Sequence, residues 1–299
     1  MKFSIRHQTR YTYSNPVAFC HNEARLQPRA TARQVCTASD VVVTPQAAVR
    51  SEREDIFGNR VMYFAMQEPH SELTVVATSE VEITQAPQIY NPALSSPWQQ
   101  VVEQLQRATM PDDYDARQFA LDSPCAGATP EVRAYAAPSF APGRPVLEAV
   151  HDLSSRIHRE FTFDPQCTTI ATPVAEALAK RGGVCQDFAH LAVACLRSFG
   201  LPARYVSGYL ETVPPPGQPR LEGADASHAW FAVYVPGMGW LDLDPTNDQI
   251  PDDRYVTTAW GRDFADVTPL KGVIFGGGTH VLDVGVDMLR APAAPQAMA

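Results

Sequence analysis

Two periodicities divide this chain. Through residues 1–88 apolar and polar positions alternate in short runs: Phe3-Ser4-Ile5-Arg6-His7, Thr9-Arg10-Tyr11-Thr12-Tyr13, Val41-Val42-Val43, Val61-Met62-Tyr63-Phe64, Leu73–Thr78 and Glu80–Ile83. The breakers Asn15-Pro16, Pro45-Gln46, Gly58-Asn59 and Glu68-Pro69 fall between them. Alternation sends successive side chains to opposite faces, so this region predicts several short strands in a β-sandwich-like domain. Phe57-Gly58-Asn59 is a hairpin-turn candidate, since Gly58 and Asn59 both tolerate positive φ. Arg25 and Arg29, beside Leu26 and Pro28, read as solvated surface charge.

The period then changes. Residues 89–145 are rich in Pro and Ala, and beyond a short helix opening near Pro97-Trp98 they read as connecting sequence draped over a surface. From Leu147 the apolar positions Val150, Leu153, Ile157 and Phe161 recur at steps of three and four, one face of a helix over 146–161. His151 and His158 fall on its polar side. A second short helix covers 173–181. A third begins at Cys185, where Phe188, Leu191, Ala192, Cys195, Leu196 and Phe199 form a stripe that Gly200 and Pro202 end. Past residue 250 the pattern is weaker. Tyr255–Thr258 and Thr279–Val286 read as strands with Gly276-Gly277-Gly278 as a turn, and residues 291–299 as a frayed Ala/Pro tail.

Gly182-Gly183-Val184-Cys185 places a thiol at a helix N-terminus, where unsatisfied N–H groups and the helix dipole favour an anion. The two glycines leave room for another backbone, such as a peptide substrate, to approach. A thiol nucleophile needs a base and a group to orient that base. Two apolar runs around Pro236-Gly237-Met238-Gly239 predict a hairpin, with His228 near the start of one strand and Asp242 and Asp244 near the end of the other. If Tyr234 lies opposite Trp240, His228 shares a face with both aspartates. Taken singly, each is as readily a structural residue. Their joint occurrence in the order Cys, His, Asp points to nucleophilic catalysis. Metal ligation by Cys185, His228 and one aspartate is the weaker alternative, because each ligand would come from a separate segment.

Composition narrows the class. The 299 residues carry 24 Lys and Arg against 33 Asp and Glu, a net charge of −9, which argues against a nucleic-acid partner. No apolar run reaches the length of a membrane span, so no membrane partner is expected. The N-terminus turns polar too soon for a signal peptide, and six scattered cysteines without CxxC spacing fit free thiols in the cytoplasm. No acidic calcium loop or other cofactor motif is present in the sequence, so side chains are expected to carry the chemistry.

The set Gly183-Val184-Cys185-Gln186-Asp187-Phe188-Ala189-His190, His228-Ala229-Trp230, Gly239-Trp240 and Asp244-Pro245-Thr246 resembles the bacterial members of the transglutaminase-like cysteine peptidase superfamily. Asp55 with Phe57-Gly58-Asn59-Arg60, and Gly261-Arg262-Asp263-Phe264 with Asp266-Val267 and Pro269, extend the likeness to both flanks. The resemblance implies an α+β chain: an N-terminal β domain (1–88), the connecting region (89–145), and a papain-like core (146–290) with its nucleophile helix on an antiparallel sheet. It implies Cys185 as nucleophile, His228 as base and Asp244, rather than Asp242, as orienting acid. The backbone N–H of Cys185 is then the first oxyanion donor. The animal enzymes carry Trp after the nucleophile and another upstream. Here Gln186 follows Cys185, and no Trp lies between Trp98 and Cys185. Hydrolysis of an amide or peptide substrate is therefore expected before protein-glutamine transamidation, with a catalytically idle peptide-binding module as the rival from another class. Arg262 and Asp263 are candidates for the substrate cleft or for a structural ion pair.

Overall fold

A computed structural model describes residues 1–84, 91–107, 110–212 and 226–290. The Pro-rich loop expected around 214–219 and the tail at 291–299 lie outside these residues. The first layer is organised on β1 (Lys2–Ala24), where Phe3, Ile5, His7 and Thr9 point inward and their neighbours outward. β2 (Gln34–Thr44), β3 (Val49–Glu54), β4 (Arg60–Met66) and β5 (His70–Ile83) complete the order β2-β5-β1-β4-β3. Asn15-Pro16 does not end the strand. The chain slips register between Thr12 and Val17 and continues, so the first half of β1 pairs with β5 and the second with β4. Such a slip bends a strand without terminating it. Leu73 and Val75 from one half meet Met62 and Phe64 from the other in one core, the strand-rich layer that the alternation predicts. β3 escapes the sequence reading because every one of its residues is exposed.

Residues 91–140 are not draped over a surface. α1 (Trp98–Gln106), α2 (Pro111–Ala116) and α3 (Pro130–Ala136) sink Val101, Leu105, Ala116, Val132 and Ala136 into the main core. The prolines that suggested a linker open helices. Pro111 and Pro130 sit in first turns, where the missing N–H is not needed, and the Thr129 hydroxyl caps α3 at Val132 N. α4 (Val146–Glu160) buries Leu147, Val150, Leu153 and Ile157 as the pattern requires. The strand pair β6 (Thr162–Phe163) and β7 (Gly182–Gly183) brackets α5 (Val174–Lys180) and leads into α6 (Cys185–Ser198).

α6 is buried all round, from Asp187 to Arg197, where one apolar stripe suggested a half-exposed helix. The reason is Arg197. Its guanidinium donates to Phe119 O, Ser123 Oγ, Ala203 O and Arg262 O at 2.6–2.9 Å, which lets a charged residue occupy the far side. The helix lies on an antiparallel sheet of order β10-β9-β8-β11, formed by β8 (Ala203–Leu210), β9 (Ala226–Val235), β10 (Gly239–Leu243) and β11 (Tyr255–Gly261). Phe231, Val233, Leu241 and Leu243 face the helices, while Val206, Trp230 and Ala232 face away.

After the short helix α7 (Phe264–Val267), β12 (Leu270–Gly276) and β13 (His280–Arg290) leave the core and run along β1, expected partners of the catalytic core turned into members of the first sheet. Both are antiparallel to β1, so Gly276-Gly277-Gly278 is no hairpin turn. It is a kink opposite the slip in β1, fixed by Ser14 N to Thr279 O and Asn15 N to Gly277 O. All three glycines have positive φ, and a Cβ on Gly278 would meet Ser14 Oγ at 2.4 Å. Phe3, Ile5, Val286 and Met288 then join Tyr209 and Val256 of the second sheet in a shared cluster.

Arg25 and Arg29 are buried, not solvated. Arg29 stacks on Trp260 at 3.2 Å and donates to Phe57 O, while Asn59 Nδ2 donates to Trp260 O and Trp260 N to Asn59 Oδ1. The turn at Gly58 (φ 72°) is thus a clamp between the two layers.

Candidate active site

Gly183 extends past β6, and Val184 N-caps α6. Asp187 reaches back so that its Oδ2 accepts from Val184 N at 2.8 Å and from Thr168 Oγ1 at 2.6 Å. A Cβ at Gly183 would lie 2.5 Å from that Oδ2, and one at Gly182 would lie 3.0 Å from Cys167 Sγ. The space beside the glycines is filled by the cap and by Cys167, so it is not an opening for a second backbone. Cys185 occupies the first helical position, half-buried against Tyr205, Ala229 and Phe264. Gln186 turns aside to Ile170 O.

The hairpin has the register that puts Trp240 opposite Tyr234. His228 stands at the start of β9, 7% exposed, and its Nε2 lies 2.7 Å from Asp244 Oδ2. An ionised carboxylate only accepts, so Nε2 donates to Asp244 and Nδ1 is the nitrogen left for the thiol. Cys185 lies close enough to the imidazole to act on its charge. Burial opposes charge on this ring, but the Asp244 carboxylate that accepts from it and the neighbouring Cys185 outweigh that cost, and the His228 pKa is raised to about 10.

Asp244 has no exposed surface. Its Oδ1 accepts from Thr246 N at 2.8 Å; its Oδ2 also accepts from Tyr255 Oη at 2.6 Å and Asn247 Nδ2 at 2.7 Å. Burial favours the neutral acid, yet these donors and His228 bring the pKa below the usual aspartate value. Two of the donors, Asn247 and Tyr255, escaped the sequence reading. Asn247 had a readable signal, because Asp-Pro-Thr-Asn is a turn in which an aspartate collects following N–H groups. Tyr255 comes from the next strand, and no local pattern connects it to Asp244.

Asp242 points elsewhere, accepting from Trp230 Nε1 at 3.3 Å. His190 is buried and accepts from Phe264 N, and burial holds its pKa near 4. Arg262 pairs with Asp266, and Asp263 caps α7 and accepts from Cys125 N, so both are structural. His158 is exposed at the end of α4, bonded to Thr246 O. Among the described residues, no helix is long and apolar enough to cross a membrane.

The model of the bacterial transglutaminase-like N-terminal region matches residues 3–82, and that of the transglutaminase-like superfamily matches residues 133–245. An uncharacterized protein of Mycobacterium tuberculosis is 45% identical over 296 residues, covering 96% of this chain and 92% of its own. Another from Mycobacterium leprae is 35% identical over 295 residues, covering 97% and 99%. A crystal structure from Cytophaga hutchinsonii, provisionally described as a cysteine protease, superposes with a TM-score of 0.74 over 99% of this chain and 93% of its own. At 22% identity that likeness establishes a common fold.

Proposed function

Because this chain belongs to the transglutaminase-like superfamily, we propose that it is a thiol-dependent hydrolase of an amide or peptide bond, with Cys185, His228 and Asp244 as nucleophile, base and orienting acid. The observation that carries this reading is the imidazole bonded to Asp244, with Cys185 near enough to raise its pKa. In this reading Nδ1 already holds the proton taken from the thiol, an imidazolium beside a thiolate as the raised His228 pKa requires, and the sulfur attacks the carbonyl carbon. The backbone N–H of Cys185, at a helix terminus where it has no intrahelical partner, donates to the developing oxyanion. Collapse breaks the C–N bond as the imidazolium returns its proton to the leaving amine, which leaves a thioester. A water then gives a proton to Nδ1 as its oxygen adds to the thioester, and the carboxylic acid and free thiol are released.

Asp244 stays ionised throughout. Its role is to hold the tautomer with Nδ1 free and to stabilise the imidazolium. Five donors on one carboxylate keep it in place.

Intact mass after exposure to a peptide library tests the reading. The expected result is an acyl adduct on Cys185, absent from Cys185→Ala and released by water. Incorporation of a labelled amine at a glutaminyl side chain would instead identify a transamidase. No adduct, with iodoacetamide reactivity equal to free cysteine and unchanged in His228→Ala, would leave an idle binding module.

A further inference from the structure

The face of the four-stranded sheet turned away from α6 carries a second constellation that the proposed chemistry does not use. A cavity of about 830 Å³ lies between this face and the first layer, bordered by Arg33, Phe57, Arg204, Trp230, Asp242 and Trp260 among others. Cys185, His228 and Asp244 do not line it. Its size suits a small organic molecule.

Arg204 stands at its wall, 7% exposed. The guanidinium carbon lies 3.7 Å from the ring centre of Trp260 and 4.4 Å from that of Trp240. Two indoles therefore hold its plane, as suits a buried cation. They offer nothing to its N–H groups, and Nε has no hydrogen-bond partner. Nε is sealed from solvent, so an arriving anion meets the terminal nitrogens of the guanidinium, whose charge no ion pair neutralises among the described residues. Arg197 shows the contrast within the same core, with its donors spent on carbonyl and hydroxyl oxygens.

Asp242 is another charged group of the wall, which Arg33, Asp115 and Asp252 also border. Its Oδ1 takes one hydrogen bond, from Trp230. The charges of Arg204 and Asp242 act on each other, but among the described residues the two do not meet in an ion pair. A cation and an anion held apart in an aromatic enclosure present complementary charges to a molecule that carries both. In an α-amino acid the carboxylate and ammonium are separated by about one bonded atom, a span of roughly 3 Å.

We propose that this cavity binds a free α-amino acid with a large apolar side chain, its carboxylate on the Arg204 fork and its ammonium on Asp242, the side chain lying against Trp230, Trp240 and Trp260. The fork matches a carboxylate in shape as well as charge. The site is distinct from the thiol, yet it touches the machinery behind it. Trp230 packs against both His228 and Tyr255, the latter donating to Asp244. Occupancy would thus be felt at the base through packing.

Three of the chain's four tryptophans border the cavity, so their emission reads the site directly. The full-length protein would be titrated with L-phenylalanine, L-phenylalaninamide, which lacks the carboxylate, and N-acetyl-L-phenylalanine, which lacks the ammonium. Calorimetry on the same solutions would check each curve. The expected result is saturable binding of the amino acid, with both analogues weaker by about tenfold or more. Arg204→Gln is expected to abolish the preference over the amide, and Asp242→Asn the preference over the acetylated form, each in protein whose unfolding remains cooperative. Should Arg204→Gln fail to fold, Asp242→Asn and the three-ligand series still decide. Absence of saturable binding by both methods, or an amide that binds as well as the acid, would overturn the proposal. None of these readouts depends on turnover, so they stand or fall apart from the hydrolase reading.

Discussion

Asp242 and Asp244 sit two residues apart on one strand end, yet they belong to different regions of the molecule. Around Asp244 every charge is matched: five donors converge on the carboxylate, and the ring it holds also feels Cys185. Around Asp242 the walls are aromatic, one indole N–H is the donor, and burial pushes the carboxyl above its usual value. One acid is driven down and the other up. Position and residue type are nearly shared, so the difference lies in how many donors the neighbouring strands and turns supply.

The sharpest way to break this comparison is to neutralise each acid in turn. Asp244→Asn is expected to lower turnover of whichever peptide acylates Cys185 by roughly ten-thousand-fold, because the amide lets the imidazole adopt the wrong tautomer. Asp242→Asn should lose at least about a hundred times less, since its carboxylate does not touch the base. Equal losses in kcat would mean that the two regions act as one.

The buried arginines offer a second test, read in stability. Arg197→Met leaves the carbonyls of Phe119, Ala203 and Arg262 without their donor and should cost about 3–5 kcal/mol in denaturant unfolding. Arg204→Met strands no hydrogen-bond acceptor, and a thioether packs well on indole, so it should cost less than about 2 kcal/mol. The reverse order would place the paired region on the wrong side of the sheet.

Much of the paired region was legible in the sequence, and almost none of the unpaired one. Helix period marked α4, α5 and α6. The Pro/Gly turn marked the hairpin, the register that chemistry required is the one observed, with Trp240 opposite Tyr234, and the motif set singled out Asp244. What escaped was non-local. Tyr255 and Asn247 reach Asp244 by folding, Arg29 is hidden by an indole from a distant strand, and Arg197 is buried because three separate segments supply oxygens to it. Charged residues read as surface when their partners are remote in sequence. The bend in β1 and the triglycine kink opposite it share one cause, since neither has meaning without the other strand.

A milder change trims the network by one donor. Tyr255→Phe removes one of the bonds to Asp244 and keeps the ring against Trp230. The expected effect is a fall in kcat of about three- to tenfold, equivalent to about 1 kcal/mol. A loss as large as that of Asp244→Asn would make the hydroxyl a participant in the chemistry.

A last test lies in the pH dependence of stability, where histidines of opposite surroundings shift in opposite directions. His7 and His190 are buried without a carboxylate on the ring, and burial holds both near 4. Their unfolded forms take up protons near 6.5, so below that pH the unfolded state binds more protons and stability falls until about 4. His228 runs the other way. With a folded pKa near 10, its contribution is complete below about 6.5 and is lost as pH rises through about 10. The melting temperature should therefore peak near neutrality and decline on both sides. His190→Asn should flatten the acid limb and leave the alkaline one, while Asp244→Asn should do the opposite. If Asp244→Asn leaves the alkaline limb unchanged, the charge on His228 is not held by Asp244. The contrast between a matched and an unmatched histidine would then rest on burial alone.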